Sequence, residues 1–334
     1  MRRVGKQSIE FNNCYVRTTS TVSGKLEKEG PLGNYFDKTY NDNYCDEKSW
    51  EKAEMKLMSD SIDIALKKSI LKTNDIDLII TGDLNNQIVI GNYVLKKYPF
   101  PYLGIYSACS TLTEGLIIGS TFIDNYYGEY VMVSTSSHNS TSERQFRNPT
   151  EYGGQKSCTT TFTATGAASC ILTSRKTEIK IARATIGNIV DSTTLDSCDM
   201  GRLMAPAASE TLINHLKDFK LKPSYYDLIV TGDLSLFGKK TFLNLLEQQN
   251  IRLDSNYEDT GLMLYDIEKQ PVFSGGSGAG CVSLVSLGYL YKQMLLGKYK
   301  KILVIATGAL LNPIMTFQKE TIPAIAHAVA LERV

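Results

Sequence analysis

Apolar positions along this chain follow two periods, and the same order of periods occurs twice. Residues 49–70 place Ala53, Met55, Leu57, Met58, Ile62, Ile64 and Ala65 at helical spacing. Then Ile76-Asp77-Leu78-Ile79-Ile80-Thr81-Gly82-Asp83-Leu84 predicts a short buried strand that ends in a turn. In the second half, a helical stretch at 207–221 leads into Tyr226-Asp227-Leu228-Ile229-Val230-Thr231-Gly232-Asp233-Leu234, which repeats that strand and its exit. A later pair of segments echoes in the same way. Gly128 precedes the strand-like Tyr130-Val131-Met132-Val133-Ser134-Thr135, and Gly297 precedes Lys301-Ile302-Leu303-Val304-Ile305-Ala306-Thr307. A small-residue helix comes before each, at 107–123 and 275–296. Four shared letters alone are weak, but the matching segments around them predict a duplication, with halves 1–175 and 176–334 meeting near Arg175. Helix-containing connections between the strands imply parallel pairing and a layered α/β fold.

Other stretches read less strongly. Residues 16–45 mix Gly24, Gly30, Pro31 and Gly33 with polar residues and predict a long surface loop or meander. The run Thr159-Thr160-Thr161 with Thr163 and Thr165 suits an alternating strand ending at Gly166, or a hydroxyl-lined pocket wall. The basic cluster at 298–301 reads as a solvated strand entrance.

Composition narrows the class. With 43% hydrophobic and 21% charged residues the chain can bury a sizeable core. A net charge of +1 supplies no bulk attraction to nucleic acid or acidic lipid. The longest apolar runs, such as 302–306, are strand-sized, far below the roughly 20 residues of a membrane span. The first residues are basic without an apolar stretch behind them, so no secretory signal is expected. The seven cysteines are odd in number and lack a C-x-x-C, which suits reduced thiols in a cytosol-like compartment. With only three histidines, no resident metal is expected, and no cofactor.

The chemically most informative segment is Tyr106-Ser107-Ala108-Cys109-Ser110-Thr111. It carries Cys109 from a short strand at 102–106 into the N-terminus of a helix, where free amides and the positive dipole end favour a thiolate. A nucleophilic cysteine belongs there; so does a small buried apolar thiol, and the spacing does not separate them. Of the histidines, His215 reads as a surface or helix-packing residue and His327 as packing or interface. His138 follows a strand in a polar loop, lining a pocket or holding the loop.

The duplicated half, the cysteine at a helix start and the Gly-rich Ser274-Gly275-Gly276-Ser277-Gly278-Ala279-Gly280-Cys281 together resemble the thiolase and ketoacyl-synthase superfamily. A closer resemblance comes from Ser136-Ser137-His138, Glu143-Arg144-Gln145-Phe146-Arg147 and Pro149-Thr150-Glu151-Tyr152-Gly153-Gly154-Gln155. With Asp196-Ser197-Cys198-Asp199-Met200-Gly201, these are similar to the stage V sporulation protein AD family of endospore-forming bacteria. The resemblance implies a five-layered α-β-α-β-α thiolase-like fold and a homodimer. It implies a peripheral position at the spore inner membrane beside channel proteins of the same stage V system. It also implies handling of dipicolinic acid, as the acid or its calcium chelate, in uptake to the forespore and release on germination.

Condensing enzymes of the superfamily need two donors besides the cysteine. In the ketoacyl-synthase III branch a His follows the second-half strand and an Asn precedes the Gly-rich turn. Here the strand exits into Gly232-Asp233-Leu234, and the turn is preceded by Val272-Phe273-Ser274. The resemblance therefore implies an acyl-transfer pocket reused for binding. Its candidate ligand residues are Cys109, His138, Arg144, Arg147, Glu151, Tyr152, Asp233, Gly276 and Ser277. Arg144 and Arg147 suit carboxylates, Glu143 and Glu151 a chelated calcium, and Phe146 or Tyr152 a pyridine ring; a solvated loop with weak ion pairs is the bland alternative. The competing expectation is an active acyltransferase or ketoacyl synthase with Cys109 as nucleophile.

Overall fold

The two copies of the apolar strand lie in two sets of five strands that mirror each other. The computed structural model describes residues 1–147 and 156–334. From one edge inward, the second-half set runs Tyr257–Asp259, Leu228–Thr231, Lys301–Ala309, Pro323–Arg333 and Ile179–Thr185. The path continues outward through Tyr15–Ser23, Gly166–Thr173, Tyr130–Ser137, Leu78–Gly82 and Tyr102–Gly104. The repeated strands Leu78–Gly82 and Leu228–Thr231 are parallel to both neighbours. Their registers correspond: Ile80 faces Val133 and Val230 faces Val304. The next strand inward is antiparallel in each set.

Period-two alternation then sorts the side chains into layers. Ile79 and Met132 pack outward against the helix Trp50–Ser69. Ile229, Leu303 and Ile305 pack outward in the cluster that includes Leu203, Leu212 and Leu216 of the helix Met200–Phe219. Ile80, Val133, Val230 and Val304 all face one central core, shared with Leu112 and Leu116 of the helix Thr111–Asp124 and with Val282 and Leu287. Helix, sheet, helices, sheet and helix therefore stack in five layers, as expected for a thiolase-like α/β fold. Both outer helices start on a side-chain cap, Ser49 accepting from the Lys52 N–H and Asp199 from the Arg202 N–H. Both end on a left-handed residue, Ile70 and Lys220.

Two expectations are corrected. Residues 16–45 are not a surface meander throughout, because Tyr15–Ser23 is a central strand joining the two sets. Its hydroxyls disguise it: Thr19 donates to the Leu287 carbonyl at 2.8 Å and Ser20 to the Ser61 carbonyl at 2.5 Å, so polar side chains are buried with partners. The threonine run does not form one strand ending at Gly166. Phe162–Thr163 pairs with Gly276–Ser277, and Gly166 begins the next strand, Gly166–Thr173.

Candidate functional site

The strand Tyr102–Gly104 delivers the chain to a tight turn, Ala108–Ser110, ahead of the helix Thr111–Asp124. Cys109 thus sits one turn before the helix proper. Ala108 has φ +48, an unfavourable conformation for a residue with a Cβ. Local bonds hold it there. The Ser107 N–H donates to Thr111 Oγ1 at 3.1 Å, and the Thr111 hydroxyl donates to the Ala108 carbonyl at 2.6 Å. The strand Lys301–Ala309 presses on the same turn: a Cβ on Gly308 would lie 2.4 Å from the Ser107 carbonyl oxygen.

His327 comes to this turn as well. Its Nδ1 accepts the Gly187 N–H at 3.1 Å, which leaves Nε2 protonated and 3.5 Å from Ser107 Oγ. Burial pulls its pKa down to about 4, so the ring is neutral.

Behind Cys109 lies Asp233, reached from the strand Leu228–Thr231 through Gly232 and held at φ +68. It is fully buried. Its Oδ2 accepts the Gly278 N–H at 3.0 Å, while Oδ1 meets no N–H or O–H donor. The thiols of Cys109 and Cys281 are hydrogen-bonding neighbours of this carboxyl. Burial pushes it well above the usual carboxylate range, and the nearby Asp259 charge adds to that. Burial also raises the Cys281 thiol, with Asp233 and Asp259 adding to the effect.

Cys109 borders a hollow of about 40 Å³ that it shares with Leu84, Tyr106, Phe146, Thr163 and Ser277. That volume suits one or two waters and falls far below the ~300 Å³ at which small-molecule pockets begin.

Of the residues singled out in the sequence, Cys109 and Ser277 line the hollow and Asp233 backs it. Gly276 is one shell away, close under the Tyr265 ring, where a Cβ would come within 2.7 Å. His138 is not brought to the hollow. Its Nε2 bonds the Asn43 carbonyl at 2.7 Å and its Nδ1 accepts the Ser140 N–H at 3.2 Å, so one nitrogen holds a loop and the other caps the short helix Asn139–Ser142. Arg144 also points elsewhere, paired with Glu51 and lying 5.3 Å over the Trp50 ring. Glu143 is buried and paired with Lys156 at 3.0 Å. The Arg147 side chain, Glu151 and Tyr152 lie outside the described residues. His215 is no surface residue: it is buried between the Thr185 hydroxyl at 2.8 Å and the Tyr226 hydroxyl at 2.6 Å.

A second buried acidic cluster went unread in the sequence. Glu54 accepts from Ser136 and Thr141 hydroxyls, each at 2.9 Å, and from Asn85 Nδ2 at 3.0 Å. Asp83 stands nearby, and burial followed by this like charge raises the Glu54 pKa. The repeated Thr-Gly-Asp-Leu was the available signal for Asp83; nothing in sequence marked Glu54.

A duplicated five-layered fold with a cysteine on the turn before a central helix defines a thiolase-like protein. Solved structures agree on the fold. OleA from Xanthomonas campestris with bound cerulenin matches with a TM-score of 0.62 and 13% identity, covering 97% of this chain and 98% of that one. The 3-oxoacyl-[acyl-carrier-protein] synthase III of Aquifex aeolicus VF5 matches with a TM-score of 0.60 and 17% identity, over 96% and 99%. Within that class the relationship is specific. The family model for stage V sporulation protein AD matches residues 5–332. The chain is 44% identical over 334 residues to the stage V sporulation protein AD of Bacillus subtilis (strain 168), covering 100% of this chain and 98% of that protein. The chain belongs to the stage V sporulation protein AD family.

Proposed function

We propose that this sporulation protein is a non-catalytic ligand carrier built on a condensing-enzyme scaffold. It binds dipicolinic acid, as its calcium chelate, and supports its uptake into the forespore and its release on germination. The observation that carries the non-catalytic part is the buried Asp233 carboxyl beside the Cys109 thiol. A carboxyl there is not the imidazole that the ketoacyl-synthase branch carries after this strand, and losing one such group costs on the order of 100- to 1000-fold in rate.

The choice of ligand rests on family membership. An aromatic dicarboxylate is larger than the hollow and would lie against its mouth, beside the aromatic side chains of Tyr106 and Phe146 that line it. The helix Thr111–Asp124 directs its N-terminal end to the same region, a favourable place for a carboxylate. Arg147, Glu151 and Tyr152 are proposed for the remaining contacts. By their partners, His138 serves the surrounding backbone and Arg144 the start of the helix Trp50–Ser69 instead.

The edge strand Tyr102–Gly104, with Leu103 40% exposed, supports pairing with a second copy in a homodimer. Among the described residues no helix is long and apolar enough to cross a membrane. A peripheral position at the spore inner membrane, through channel proteins of the stage V system, is therefore part of the proposal.

The second reading is acyl transfer on Cys109, favoured by its place on the hollow at the start of a central helix. Intact-mass measurement after incubation with short and medium acyl-CoA separates the two. The binding reading predicts no adduct. An adduct lost in Cys109→Ala would replace it with the transferase.

A further inference from the structure

Asp83 and Asp233 close corresponding strands, in the two copies of Thr-Gly-Asp-Leu, yet they bond differently. Asp83 commits both oxygens to its own loop, Oδ1 to the Asn85 N–H at 2.9 Å and Oδ2 to the Gly91 N–H at 3.0 Å. In the second half that task falls to another residue. Asp259 Oδ2 accepts the Thr231 hydroxyl at 2.7 Å and the Leu234 N–H at 3.0 Å. Its Oδ1 accepts the Ser235 N–H at 2.9 Å and the Gly261 N–H at 3.0 Å. Asp233 is thereby released from loop closure. One of its oxygens keeps the Gly278 N–H, and the other has no N–H or O–H donor although the residue is fully buried. A buried acceptor without such a donor is unfavourable, and the strand exit does not require it.

Resting on the binding reading above, we infer that Asp233 is a positioning residue that keeps the Cys109 thiol protonated, so that the hollow presents a neutral S–H group and not a nucleophile. The chemistry runs opposite to that of an imidazole. The ionised carboxylate opposes a second negative charge on sulfur, so the buried pair carries one charge and the thiol keeps its proton while Asp233 holds that charge. The groups that face Asp233 reinforce this. They are the Cys109 thiol from the turn, the Cys281 thiol from the helix Ala279–Ser283, the Asp259 carboxyl and the Tyr265 hydroxyl. Each of these is neutral or negative in every protonation state it adopts in water.

The test is the pH profile of Cys109 modification by methyl methanethiosulfonate, a reagent small enough for a tight site. The full chain is used, and only the peptide carrying Cys109 is counted by mass. In the unsubstituted protein the midpoint should lie above the ordinary thiol range of about 8.5. In Asp233→Asn it should fall by about one pH unit or more, so that Cys109 reacts about tenfold faster at pH 7.5. Asp233→Ser should move it in the same direction. Superimposable profiles overturn the inference, as does an unsubstituted midpoint at or below about 8.5; that second arm needs no variant to fold. Dipicolinate titration is separate. A shifted profile without dipicolinate binding removes the ligand and leaves Asp233 in this role, and binding with an unshifted profile does the reverse.

Discussion

The Tyr265 hydroxyl donates to Oε1 of Glu27, joining the short helix Lys25–Lys28 to a residue far along in the second half. The same oxygen accepts the Thr165 N–H at 2.9 Å, and Oε2 has no partner. Burial pushes the Glu27 carboxyl up to about 7 from its usual 4.5. The folded protein therefore keeps a proton that the unfolded chain releases between those values. Stability should fall as pH rises from about 4.5 to about 7 and level off above, a loss of roughly 3 kcal/mol at most from this group. Denaturation midpoints across pH should show this slope, and Glu27→Gln should flatten it.

His138 gives the opposite slope. Burial holds its pKa down at about 4, so its contribution is present above the ordinary value of 6.5 and is lost as pH falls through 6.5 toward 4. His138→Ala removes the Asn43 and Ser140 bonds and should destabilise by about 1–3 kcal/mol. Chemical denaturation at pH 7.5 measures the loss, and a repeat at pH 5 should show a smaller difference between variant and parent. Dipicolinate affinity of the folded variant should stay within about twofold of the parent.

Arg144→Ala should be nearly silent. Its ion pair with Glu51 is half in solvent, with side-chain exposures of 44% and 37%. Such pairs contribute about 1 kcal/mol or less, as does an exposed cation over an aromatic ring. Thermal melts and dipicolinate titration should both return values close to the parent; a large loss of binding would put Arg144 on the ligand.

Gly308→Ala should act on the cysteine turn from outside. The new Cβ would stand 2.4 Å from the Ser107 carbonyl oxygen, a backbone atom, so the turn or the strand must move. A cost of about 1–3 kcal/mol is expected. A changed rate of Cys109 modification should accompany it, read by peptide mass, while Cys158, exposed on a loop, should react as before.

Much of this fold was legible because the repeated strands are apolar on both faces. Ile79 and Ile80, like Ile229 and Val230, serve opposite layers, so a continuous run was the true signature. Tyr15–Ser23 is just as buried but carries hydroxyls whose acceptors come from distant helices, and no local pattern reveals those. The site divided along the same line. Cys109 and Ser277 follow from a helix start and a Gly-rich turn, which are local features. His138 was ambiguous because a histidine after a strand looks the same whether it meets a ligand or the Asn43 carbonyl. Asp259 was invisible, since its work on Leu234 and Ser235 depends on a parallel neighbour strand.

The most direct test of the central claim is calorimetric titration of the purified protein with dipicolinate, with and without calcium, in parallel with Cys109→Ala. The account predicts saturable binding that survives loss of the thiol. Absence of heat from demonstrably folded protein at millimolar dipicolinate would contradict it.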